Sequence, residues 1–167
     1  MLEIKQGFTT YDKKVFPNIR NINFTESSDI RKNLGEFINE TKIEPSSFFG
    51  GSETETEGVY IYKTPYDENK AFRIYKDWSN NIFCNIEQHP REVEMLSKLI
   101  EKQEKVKLTD FPTGIITLNG YVIGQEIQLY EKSKTLQENL DILDTKKLLK
   151  YYIDILEIIK ELINNGI

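Results

Sequence analysis

The chain has 167 residues, 38% of them hydrophobic, and a formal net charge of −5. That is enough apolar material for one ordinary core, so a single domain is the simplest organisation. The acidic balance argues against a phosphate-backbone binder, which would concentrate Lys and Arg on one face, and no nucleic-acid partner is expected.

Cys84 is the one cysteine and His89 the one histidine, so there is no disulfide framework and too few ligands for a Cys/His metal site. The N-terminus, Met1 to Gln6, has no apolar signal core, and no window approaches the roughly 20 apolar residues that cross a bilayer. These features lead us to expect a cytoplasmic protein without membrane association.

Residues 1–28 alternate short apolar pieces (Val15, Phe16, Ile19, Ile22, Phe24) with polar residues and Pro17, which reads as an arm or a pair of short strands. Asp29 is placed to cap a helix, because Ile30, Leu34, Phe37 and Ile38 recur at i, i+4, i+7 and i+8. That helix is expected to end near Thr41. From Ser46 the period becomes strand-like. Ser47 to Phe49, Gly58 to Lys63 and Ala71 to Lys76 read as three successive antiparallel strands, the first two joined by a glycine turn at Gly50 and Gly51.

In the third of these strands Ala71, Arg73 and Tyr75 share one face, which looks chemical, while Phe72 and Ile74 share the other, which looks like core. After a loop with Trp78, Pro90 opens an amphipathic helix to about Glu104. Glu92, Met95, Leu96 and Leu99 form its expected buried stripe, with Glu94 toward solvent. Gly114 to Leu118 and Tyr121 to Ile127 are expected strands around Asn119-Gly120, the strongest short hairpin signal in the chain. A short helix is expected around Thr135 to Leu143. The last helix, Lys147 to Asn164, has an apolar face too wide for a surface helix.

This order of elements resembles the N-terminal lobe of the protein-kinase-like fold plus the first large helix of its C-terminal lobe. Ala71-Phe72-Arg73 looks like the family's Ala-x-Lys strand, with Arg73 in place of Lys, and Glu92 looks like its ion-pairing helix glutamate. Gly51, Gly58 and Val59 resemble the glycine loop and the valine that cover the base. Glu126-Ile127 looks like the hinge whose backbone meets adenine. The resemblance implies an α+β fold: a five-stranded antiparallel sheet with one packed helix, an N-terminal helical arm (1–45), an N-lobe-like region (46–130), and a connector with a long C-terminal helix (131–167).

The cofactor so implied is ATP with Mg²⁺. The family's catalytic loop and metal-binding Asp would follow Ile167, so no catalytic residue is assigned and the chain is expected to be a fragment, unable to complete that site. Two departures weaken nucleotide binding. A guanidinium is not equivalent to an ammonium at a phosphate contact. Glu53, Glu55 and Glu57 fill the glycine turn, where two charges ~6 Å apart repel by about 3 kcal/mol at a dielectric of ~20.

Lys76, His89 and Trp78 read more simply as a solvated edge, a helix-entry residue and a core aromatic. Three functions stay open: the nucleotide-binding half of a kinase-like phosphotransferase, a pseudokinase-like protein-interaction module, and an unrelated α+β binding domain. The broad face of the last helix, with Leu148, Leu149, Tyr152, Ile153, Leu156, Ile159 and Ile163, leads us to expect a homodimer through it, with folding back onto the chain's own sheet or arm as the competing outcome.

Overall fold

Asn119 and Gly120 adopt positive φ angles of 49° and 82°, the conformation that closes a two-residue hairpin with the natural strand twist. The computed structural model places β6 (Gly114–Leu118) and β7 (Tyr121–Gln128) on either side of them, paired antiparallel. It describes residues 2–10, 12–26, 30–41, 59–75, 78, 85–87, 90–130 and 144–167. The remaining elements are β1 (Leu2–Thr9), β2 (Val15–Phe24), α1 (Ile30–Asn33), β3 (Phe37–Thr41), β4 (Val59–Lys63), β5 (Lys70–Tyr75), α2 (Pro90–Lys102) and α3 (Thr145–Asn164). The chain forms two units, residues 1–101 with 112–129 and residues 102–111 with 130–167.

The fold is α+β. The first unit is one seven-stranded sheet in the order β1-β2-β6-β7-β5-β4-β3. Strands β3, β4, β5, β7 and β6 make a continuous antiparallel run. Four of the five expected strands appear as β4, β5, β6 and β7, and β1, β2 and β3 are added to them; β2 joins β6 in parallel, which makes the sheet mixed. Of the two readings of residues 1–28, the pair of strands is the one observed, as β1 and β2. Phe8, Phe16, Ile19, Ile22 and Phe24 of β1 and β2 are all buried core residues.

The expected helix from Asp29 to Thr41 is corrected to a single turn followed by a strand. Asp29 lies outside the described residues, and α1 ends at Asn33. A Cβ on Gly35 would stand 1.8 Å from the carbonyl oxygen of Lys63, so the chain there runs against β4 and goes on to pair with it as β3. The expected strand at Ser47 to Phe49, the glycine turn, and the helix around Thr135 to Leu143 lie outside the described residues.

Both sheet faces are covered, so neither face of β5 is a chemical surface set against a core. Ala71 and Phe72, on opposite faces, are each fully buried. On one side, Val93 and Leu96 of α2 pack with Phe8, Phe16, Ile19, Ile115, Val122 and the half-buried Tyr75. On the other, Phe72, Ile74, Ile22, Phe24, Ile116 and Leu118 cluster beneath Ile30, Leu34, Tyr60, Tyr62 and Trp78.

The buried face of α2 also differs from the expected stripe. It is centred on Val93, Leu96 and Ser97, and Met95 is 46% exposed, a rotation of about a quarter turn at 100° per residue. Val93 and Leu96 pack on Phe8, Phe16 and Ile19 of the added hairpin, and Lys14, just before β2, pairs with Glu94 at the edge of that contact.

In the second unit, the Asp144 side chain accepts from the Lys147 backbone N–H at 2.8 Å and caps α3. Gly166, with φ 68°, closes its C-terminus. Lys102 Nζ donates to the carbonyl oxygens of Asn165 (2.7 Å) and Gly166 (2.6 Å), where the helix dipole favours a cation. No residue of α3 is buried, and Leu149, Leu156 and Ile163 are each more than 60% exposed.

Candidate polar cluster around Glu126

A charged residue in an apolar strand must find partners or destabilise the fold. Glu126 of β7 is fully buried, and four side chains converge on it. Its Oε1 accepts from the Thr113 hydroxyl at 2.7 Å and from Lys70 Nζ at 3.2 Å, and Arg20 Nη1 lies 3.4 Å from the same oxygen. Its Oε2 accepts from the Tyr66 hydroxyl at 2.5 Å, within the range of charge-assisted hydrogen bonds.

Local structure places each member. Lys70 opens β5, whose next residues but one, Phe72, stands opposite Glu126. Thr113 precedes β6 and donates its backbone N–H to the Glu126 carbonyl at 2.8 Å. Tyr66 sits in the β4–β5 turn, where Thr64 and Asp67 bond one another, and its ring meets Phe72 edge-on at 5.8 Å.

Arg20 comes from β2, the neighbour of β6. Gly114 makes that approach close, since a Cβ there would be 2.9 Å from the Arg20 carbonyl oxygen. The guanidinium lies over the Tyr66 ring at 4.8 Å. Burial first, then donation to Glu126, pushes the Tyr66 hydroxyl far above the ordinary phenol range, with Arg20 opposing. Tyr66 is therefore a standing donor, not a base.

Of the residues assigned from the resemblance, Glu126 is the centre of this cluster, and the described Ala71 and Arg73 are not among its partners. Ala71 is fully buried, and Arg73 is half-buried on the α2 side of the sheet, opposite Ile61 and Gln125. Glu92 belongs to α2, but its side chain lies outside the described residues, as do Gly51, Gly58 and the side chain of Val59. Glu126 and Ile127, the expected hinge, lie in β7: Glu126 pairs with Phe72 of β5 and Gly114 of β6, Ile127 pairs with Ala71 of β5, and the Glu126 carbonyl accepts from the Thr113 backbone N–H.

Sequence reasoning missed Arg20, Tyr66, Lys70 and Thr113. The one signal was a lone carboxylate within the apolar run Tyr121 to Ile127, a pattern that calls for a buried cation.

Among the described residues no group of three or more His, Cys, Asp and Glu side chains could hold a metal ion, and no helix is long and apolar enough to cross a membrane. In the second unit a shallow depression of about 340 Å³ is lined by Leu108, Glu157, Lys160, Glu161, Asn164 and Asn165. There the Glu161 carboxylate accepts from the backbone N–H groups of Lys107 and Leu108 at 3.0 and 2.9 Å, fixing the 102–111 segment to α3. No family model matches the chain, and neither a curated protein nor a solved structure matches it.

Proposed function

We propose that this chain is a pseudokinase-like interaction module that associates with a second copy of itself through α3. The observation that carries the reading is the exposed apolar face of that helix: Leu149, Tyr152, Ile153, Leu156, Ile159 and Ile163 are 45–66% exposed. Contiguous exposed apolar surface of this kind is uncommon on monomers and marks association sites.

The charge pattern of α3 favours a second copy as the occupant. Lys146, Lys147 and Lys150 outnumber Asp154 in its first half, and Glu157 and Glu161 outnumber Lys160 in its second, so the first half is net basic and the second net acidic. A two-fold antiparallel pairing sets each basic half against the acidic half of the other copy, as an isologous contact requires. Each large apolar side chain fully buried is worth about 1.5–3 kcal/mol, so several from each copy offset an association cost of roughly 4–15 kcal/mol. Light scattering coupled to size exclusion at micromolar concentration tests this. A dimeric mass that falls to the monomer on Leu156→Glu is expected, whereas a monomeric mass unchanged by that substitution refutes the pairing.

The competing reading is the nucleotide-binding half of a kinase-like phosphotransferase. In its favour are the antiparallel run of β3, β4, β5, β7 and β6, with α2 on one face, and the presence of Arg73 on that same face. The engaged Glu126 carbonyl and buried Ala71 weigh against it. Calorimetry with ATP and Mg²⁺ distinguishes the two. A dissociation constant in the high micromolar range or weaker, near −5 kcal/mol, agrees with the interaction module. Low-micromolar binding would favour the phosphotransferase.

A further inference from the structure

Glu126 has one charge to offer and two cations beside it. Its Oε1 has two lone-pair directions, and the Thr113 hydroxyl and Lys70 ammonium already occupy them. Arg20 is left at 3.4 Å with an ion-pair attraction, and its guanidinium lies against the Tyr66 ring. Among the described residues these are the contacts of its guanidinium, and none of them is a hydrogen bond. Lys70 likewise uses one of its three ammonium protons.

The Arg20 and Lys70 side chains are 28% and 20% exposed, open enough for a small solute and enclosed enough to strengthen an electrostatic contact. The guanidinium centre lies 4.8 Å from the Tyr66 ring centroid, with Nη1 toward Glu126. A guanidinium fork matches the oxygen pair of a carboxylate or phosphate. Arg20 and Lys70 exceed Glu126 by one positive charge, which Asp67, in the turn beside Tyr66, partly offsets.

We propose that Arg20 and Lys70, held by Glu126 and Tyr66, form a binding site for a monoanionic oxyanion group, with Arg20 as the fork and Lys70 as the second cation. The site is independent of α3 and of any association through it.

The test is a titration of the intact chain with sodium acetate and, separately, with sodium phosphate, each against sodium chloride at constant ionic strength. The Arg20 side-chain N–H resonance reports binding. A saturable shift at millimolar concentrations with either oxyanion is expected. Tighter acetate binding identifies a carboxylate ligand, and tighter phosphate binding a phosphoryl ligand.

Arg20→Gln should weaken binding at least about fivefold, and Arg20→Lys, which keeps the charge without the fork, by less. Thermal denaturation verifies that each variant is folded. A shift that is linear in both salts and equal to that in chloride overturns the proposal, as does unchanged affinity in folded Arg20→Gln. Should Arg20→Gln not fold, the wild-type titration decides alone.

Discussion

Replacing Glu126 with Ala removes the one acceptor that Tyr66, Thr113 and Lys70 share, and leaves Arg20 and Lys70 as neighbouring like charges. A hydrogen bond to a charged group contributes about 1.5–3 kcal/mol net, and breaking a buried pair from one side costs about 3–5 kcal/mol. The three bonds act as one network, so their values do not add. Lys70 and Arg20 keep 20% and 28% of their side chains exposed, which lets the freed cations recover part of their hydration. The expected loss is therefore about 3 kcal/mol for Glu126→Ala.

Glu126→Gln keeps the shape and one acceptor oxygen while turning an amide toward a cation, and its expected cost is about 2 kcal/mol. Urea unfolding followed by circular dichroism measures both, with an unchanged denaturant slope as the check on two-state behaviour. Adding Lys70→Met to Glu126→Ala should restore at least about 1 kcal/mol, because the unpaired cation is then gone. A Glu126→Ala variant within 1 kcal/mol of wild type would show that the cluster is not a stabilising network.

Tyr66 supplies a pH test. Its hydroxyl is held above the ordinary value of 10.0, so above pH 10 the unfolded chain loses this proton while the folded chain keeps it. The contribution is thus complete below pH 10 and declines as pH rises beyond it, by less than the full slope of about 1.4 kcal/mol per unit because Tyr66 is 38% exposed. Stability curves for wild type and Tyr66→Phe should run parallel below pH 10 and converge above it, and a constant gap would contradict this. On α2, Leu96→Ala should cost about 2–5 kcal/mol and Met95→Ala less than about 0.5 kcal/mol, since Leu96 is 3% and Met95 46% exposed. Chemical denaturation giving the reverse order would restore the stripe expected from sequence.

What the sequence determined by itself was local. The Asn119-Gly120 hairpin follows from two adjacent residues that tolerate positive φ, and β6 and β7 lie where the pattern places them. Helix α2 starts at Pro90 as expected, because a first-turn proline forfeits no hydrogen bond. The long final helix follows from its 3.6-residue apolar period. These features depend on neighbours within a turn or two of chain.

What only the tertiary structure decided depends on residues far apart in sequence. Ile30, Leu34, Phe37 and Ile38 fit a helical period, yet pairing with β4 and the close pass of Gly35 over Lys63 make residues 37–41 a strand. Residues 1–28 read as an arm or a pair of strands; the parallel docking of β2 on β6 makes that pair part of the main sheet, and the buried face of α2 packs on it. The Glu126 cluster joins Arg20, the Tyr66 to Lys70 turn and Thr113 from three separate segments. No periodicity links them, because only the sheet order β2-β6-β7-β5 brings two cations and two hydroxyls to one buried carboxylate.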